Sequence, residues 1–114
     1  MTRAVFQLQN SHNGESPAVP AEVILTGELD VTNVDEFTQA VLEVPGARPI
    51  ILELSPVKYL DSAGFAALDG LLRENAIVLV LSPDSFMYRV AALMGLPIHH
   101  DVEAARRVLQ ENAS

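Results

Sequence analysis

The chain contains no cysteine. Disulfides, thiol catalysis and thiolate metal sites are therefore excluded, and a reducing compartment is permitted. No apolar run approaches the ~20 residues that a membrane-spanning helix needs. No secretory leader is expected, because Met1-Thr2-Arg3 leads straight into a strand-like segment. The expected location is the cytoplasm. Basic residues are scarce in the first half. Between Arg3 and Arg48 there is none, whereas Glu15, Glu22, Glu28, Asp30, Asp35, Glu36 and Glu43 all fall there. With a net charge of −8, such a face repels nucleic acid and anionic membrane and suits a basic protein partner. Neither G-x-G-x-x-G nor a Walker pattern occurs, so a self-contained nucleotide enzyme is not expected and no cofactor is implied. The histidines are not a metal site. His12 lies in a polar segment, and the adjacent His99 and His100 would diverge on a strand.

What remains is enough for a fold. The 114 residues are 49% hydrophobic, which suits one domain, residues 1–114, with a modest core. Val5 to Gln9 alternates weakly, as a strand does. Residues 10–21 are polar, with Gly14, Pro17 and Pro20, and are expected to form a flexible loop. Glu22–Gly27 reads as a second strand. Thr32-x-x-Asp35 resembles a capping box, and Val34, Phe37, Val41 and Val44 then recur at helical spacing until Pro45-Gly46. Ile50–Leu54 is apolar enough for a strand covered on both faces, and a short polar loop should follow it. A helix from Ser62 should bury Phe65, Leu68 and Leu72. Ala76–Leu81 gives the strongest strand signal and reads as central and parallel. Ser82–Ser85 should open a third helix, with Phe86, Val90, Leu93 and Met94 inward and Gly95 closing it. A short strand through Ile98-His99 and a last helix capped by Asp101 complete the order, with residues 111–114 frayed. The expected class is α/β, with a mixed sheet of four to five strands and about four helices.

Asp61-Ser62 marks the start of the second helix. Ser62 is a good N-cap type, and its hydroxyl would meet the positive end of the helix dipole. A phosphate there would suit the helix and would sharply change the outer surface. Most serines at such positions are only caps. A nucleophile elbow is incomplete here, since the first glycine of G-x-S-x-G is replaced by Leu60. Asp30 has a plain alternative role as well, satisfying loop amides in a turn.

Gly27-Glu28-Leu29-Asp30, followed by Leu60-Asp61-Ser62-Ala63-Gly64, resembles the paired signature of STAS domains, in particular the bacterial anti-sigma factor antagonists. The agreement in element order runs from about Phe6 to Val108. The resemblance implies that Ser62 is phosphorylated, and that Asp30, Asp61, Ala63, Gly64 and Phe65 form the switch and partner surface. It implies an anti-sigma factor serine kinase as partner, which the unphosphorylated protein occupies so that a sigma factor is freed. Phosphorylation of Ser62 would release the kinase, and a PP2C-type phosphatase would reset the cycle. The protein would then be a kinase substrate and a binding module, a monomer or weak dimer, and not a catalyst. Ala63 replaces a second Ser or Thr found in many relatives, Phe65-Ala66 replaces Leu-Gly, Asn33 replaces a frequent Thr, and the link through Arg73–Ala76 is short. A second reading is a constitutive STAS adaptor subunit, for example in a lipid-transport ATPase, with Ser62 unmodified. A third is a small hydrolase using Ser62.

Overall fold

The computed structural model describes residues 4–12 and 20–112. Ten elements follow one another: β1 (Phe6–His12), β2 (Pro20–Leu29), α1 (Val34–Glu43), β3 (Ala47–Glu53), β4 (Val57–Leu60), α2 (Ser62–Arg73), β5 (Ile77–Val80), α3 (Tyr88–Leu93), β6 (Ile98–His99) and α4 (Val102–Asn112). The class is mixed α/β, with four helices and six strands among the described residues. The two strands opening the chain run further into the polar segment than expected, so His12 belongs to β1 and Pro20 to β2. Residues 13–19 of that segment, and 113–114 of the tail, lie outside the described residues, while residues 111 and 112 are helical.

The sheet runs β1-β2-β3-β5-β6, with β1 antiparallel to β2 and the other pairs parallel. β3 is central, and Ile50, Ile51 and Leu52 are all buried, as an apolar run in a strand covered on both faces requires. β4 occupies the stretch where the sequence suggests a loop. The strand is short, and Val57-Lys58-Tyr59-Leu60 does not alternate, since the middle two residues are both exposed. It pairs with the far half of β2, whose near half pairs with β3. β2 is thus a long rail that carries β4, and with it the start of α2, to a fixed place.

One face of the sheet carries the main core. Phe37 and Val41 of α1, Phe65, Leu68 and Leu71 of α2, and Met87 and Ala91 beside and within α3 join Leu25, Leu29, Leu52 and Leu79 there. Leu71, not Leu72, is the fully buried position of α2's second half, and Leu72 packs partly against the cluster. The opposite face carries α4, whose Ala105 packs on Ile51 and Val80 with Val102 and Leu109 alongside. Asp101 caps α4 by accepting from Ala104 N at 2.7 Å.

Glu22 is buried on β2 and is held by the Arg106 guanidinium of α4 through two hydrogen bonds. It therefore leaves the acidic surface expected from the sequence. The Glu22 hydrogen bond raises the Arg106 pKa above its ordinary value, against a smaller opposing effect of desolvation. A buried carboxylate needs such a partner, because desolvation otherwise penalises its charge.

Candidate functional site

The two halves of the signature meet at the carboxyl end of β2. Asp61 is the residue that joins them. Its Oδ1 accepts from Gly64 N at 2.9 Å, capping α2, and its Oδ2 accepts from Val31 N at 3.2 Å in the loop after β2. Its own N–H donates to Leu29 O at 3.2 Å. The cap of α2 is thus Asp61 and not Ser62. Asp61 has the extended backbone an N-cap needs, φ −93° and ψ −174°, because it continues directly from β4.

Ser62 is then the first residue of the helix. Its side chain is exposed, and its hydroxyl makes no hydrogen bond among the described residues. The helix beyond it is long enough to present a full macrodipole end at this point. Neither His99 nor His100 bonds it. His100 Nε2 lies 3.0 Å from the Tyr88 hydroxyl instead. Ala63 is half-buried beside Ser62, while Gly64 and Phe65 are buried. Phe65 is therefore a core residue, packed in the cluster under α2. Gly64 is also interior. A Cβ on it would lie 3.1 Å from Leu29 O and 3.1 Å from Leu60 Cδ2, so glycine lets α2 approach the end of β2.

Asp30 builds the loop on the other side. Its Oδ1 accepts from Thr32 N at 2.8 Å and from the Thr32 hydroxyl, an aspartate turn of the usual kind. Its N–H donates to Asn33 Oδ1 at 3.0 Å, and Asn33 Nδ2 donates to Glu28 O at 2.9 Å. The N-cap of α1 falls on Asn33, one residue after the Thr32 that the capping-box pattern suggests. Thr32 is turned back on Asp30, and Asn33 stands at the N-cap position of α1 without a side-chain cap bond. Asn33 is buried and spends its amide on the Glu28–Asp30 backbone. Gly27 explains the start of this half. It has φ +94°, and a Cβ there would meet Val5 O at 2.3 Å. Only glycine allows β1 to pass that closely.

The surface around Ser62 is not only acidic. Val31 is 74% exposed and Tyr59 50% exposed, on the loop that Asp61 holds and on β4. A larger apolar surface lies on α3, contrary to expectation. Phe86 is 75% exposed, Leu93 81% and Met94 52%, and Val90 is also exposed, while Met87 and Ala91 face inward. The loop entering α3 is fastened to the turn after β3, where Ser55 Oγ accepts from Ser82 N at 2.8 Å and Ser85 Oγ donates to Ser55 O. That turn leads through β4 to Asp61. The α3 residues are functional candidates that helical spacing alone misplaces. The usable signal was excess: a short helix at a sheet margin has too little inner face for Phe86, Met87, Val90, Leu93 and Met94 together.

Among solved structures, the chain is similar to an anti-sigma factor antagonist from Mycobacterium paratuberculosis, with a TM-score of 0.67, 21% identity and 95% of each chain covered. It is also similar to the anti-sigma factor antagonist SpoIIAA in its unphosphorylated form, with a TM-score of 0.56 and 24% identity, covering 91% of this chain and 97% of that one. These likenesses establish a shared fold. No curated protein sequence matches it. The family model of the STAS domain matches residues 17–96, a span that takes in both halves of the signature and the Asp61 bridge between them, and the chain belongs to the STAS domain family.

Proposed function

We propose that this protein is an anti-sigma factor antagonist whose binding to an anti-sigma factor kinase is switched off by phosphorylation of Ser62. The observation that carries the reading is the state of the Ser62 hydroxyl. It is exposed, unbonded among the described residues and placed at the first position of α2. A kinase needs a hydroxyl that can leave the surface without breaking structure, and this one meets that need. The similarity to solved antagonists supports the same role.

Phosphorylation adds about −1.5 to −2 charge at a helix N-terminus, which complements the dipole, so α2 survives it. The same charge falls beside Asp61, and the exposed acids Asp35 and Glu36 occupy the first turn of the neighbouring α1. A basic partner surface drawn to those carboxylates would meet an added phosphate it was not built to seat. α1 and α2 pack against each other, so the acids of α1 and the start of α2 belong to one face. In this reading Asp30 and Asp61 hold the two loops of that face in place, Val31 and Tyr59 supply apolar contact beside the switch, and the phosphatase restoring Ser62 is of the PP2C type.

Affinity capture from the native host with wild type, Ser62→Ala and Ser62→Glu tests the reading. Wild type and Ser62→Ala should retain the kinase, and Ser62→Glu should lose it by about tenfold or more, equivalent to about 1.4 kcal/mol. Mass mapping of the native protein should find phosphate on Ser62. Partner affinity unchanged by stoichiometric phosphorylation, or a phosphosite elsewhere with Ser62 untouched, sinks the switch and leaves the constitutive adaptor.

A further inference from the structure

We infer that α3 is a docking surface for a separate protein partner, one that presents an apolar helix face edged with carboxylates, whether or not Ser62 is a switch. Val90 and Leu93 are exposed one turn apart on α3. Phe86, in the turn before the helix, and Met94, at its end, extend them into one apolar stripe, while Met87 and Ala91 face the core. Exposed apolar side chains grouped in this way mark interaction surfaces. Arg89 decides the chemistry of the occupant. It is exposed, stands one turn from both Phe86 and Leu93, and makes no hydrogen bond or ion pair among the described residues. Arg73 on α2 is answered by Asp69 at 2.8 Å. The positions one turn from Arg89 are instead Ser85, Phe86, Ala92 and Leu93, so α3 supplies no counter-charge of its own.

In a chain of net charge −8, no acid occurs between Asp84 and Asp101, and Arg89, His99 and His100 fall in that interval. The 3.0 Å contact between His100 Nε2 and the Tyr88 hydroxyl keeps this stretch beside α3. Asp101, at its far end, is spent on the cap of α4, and Asp84 is exposed at the near margin. Any surface that covers Phe86 and Leu93 also takes the Arg89 guanidinium out of water. A guanidinium removed from water needs acceptors, and a carboxylate meets its fork with parallel hydrogen bonds. A basic surface, of the kind the acids of α1 attract, would strand the charge. A second copy seated on α3 about a two-fold axis would bring another Arg89 and no carboxylate from α3 itself. An anionic membrane is repelled by the net charge of the chain. α1, with Asp35 and Glu36 in its first turn, has the reverse pattern, so the two helices suit partners of opposite chemistry. The whole chain repels an acidic partner at a distance, so affinity for it comes from close contact and not from steering.

Nuclear magnetic resonance of the full chain tests the surface with a pair of synthetic helical peptides that share one leucine stripe, edged by glutamates in one and by lysines in the other. Binding is read at the amides of Arg89 to Met94, so a lysine peptide drawn to the acids of α1 does not count. The glutamate peptide should shift these amides and bind there about tenfold more tightly than the lysine peptide. Leu93→Ser should weaken it by about tenfold. Arg89→Glu should reverse the preference between the peptides, which lost packing alone cannot do. No shift at α3 with millimolar glutamate peptide overturns the inference. So does equal or tighter binding of the lysine peptide at α3, or an Arg89→Glu protein that keeps the wild-type preference. Shifts of the same amides with protein concentration alone would assign the face to a second copy, and phosphatidylserine vesicles released by Leu93→Ser would assign it to a membrane; either result also overturns it.

Discussion

Replacing Asp61 by alanine should cost far more stability than replacing Ser62, although Ser62 is the residue expected to carry the regulation. Asp61→Ala removes the cap bond to Gly64 N, worth about 1 kcal/mol. It also removes the exposed bond to Val31 N, which its charged carboxylate acceptor makes worth about 1 kcal/mol more. The sum is about 2 kcal/mol, or about 8 °C in Tm for a domain of this size. Ser62→Ala deletes a hydroxyl with no partner among the described residues and installs the best helix former, so it should stay within about 0.5 kcal/mol of wild type. Asp61→Asn keeps a competent cap and should fall between them. Urea unfolding followed by far-UV circular dichroism measures all three, with a common m-value as the check that only the native state has changed. If Ser62→Ala costs as much as Asp61→Ala, the assignment of the cap is wrong and the hydroxyl is structural.

Gly27→Ala should cost about 3 kcal/mol, since its Cβ would lie 2.3 Å from Val5 O at a φ of +94°, whereas Gly64→Ala, with contacts of 3.1 Å and a helical gain, should stay within about 1 kcal/mol; thermal melts rank them. Arg106→Ala should destabilise by about 3 kcal/mol because it strands the buried Glu22 carboxylate, while Glu22→Gln should cost only about 1 kcal/mol, since the half-exposed guanidinium can turn to water. Leu93→Ser and Phe86→Ser should leave the melting temperature unchanged, since both side chains are exposed, as thermal melts would show. Asp30→Asn should keep the fold and impair partner release, and a loss of several kcal/mol would mark the Thr32 turn as its whole purpose.

Periodicity made α1, the inner face of α2 through Phe65 and Leu68, and the two central parallel strands legible, because each buries one unbroken stripe or run. Asp101 and Gly95 announced their helix ends. The failures have physical causes. Asp61 and Ser62 are both cap formers, and only the β4–β2 ladder decides between them, by holding Asp61 extended. β4 itself gives no alternation because it is paired on one side and exposed at Lys58 and Tyr59. For α3, helical spacing specifies a stripe but not which side of the helix meets the sheet. Small Ala91 and flexible Met87 won the interior, and the bulkier residues went out. The Glu22–Arg106 pair joins positions 84 apart in sequence. No local pattern carries that. Asp30, Asp61 and Gly64 were singled out by resemblance, and their reasons became visible only as distances.

The freedom of the Ser62 hydroxyl has an evolutionary consequence. Scaffold and signal are separable at this position. Gly27, Gly64 and Asp61 are tied to backbone approach and capping, so any sequence with this architecture has reason to retain them whether or not it is regulated. The hydroxyl bonds to none of them. On the proposed function, a single substitution at Ser62 would convert a switchable protein into a permanently competent one, or back, without passing through an unstable intermediate. The glycines and the aspartate are thus marks of architecture, and the serine is the position at which the proposed control would be gained or lost.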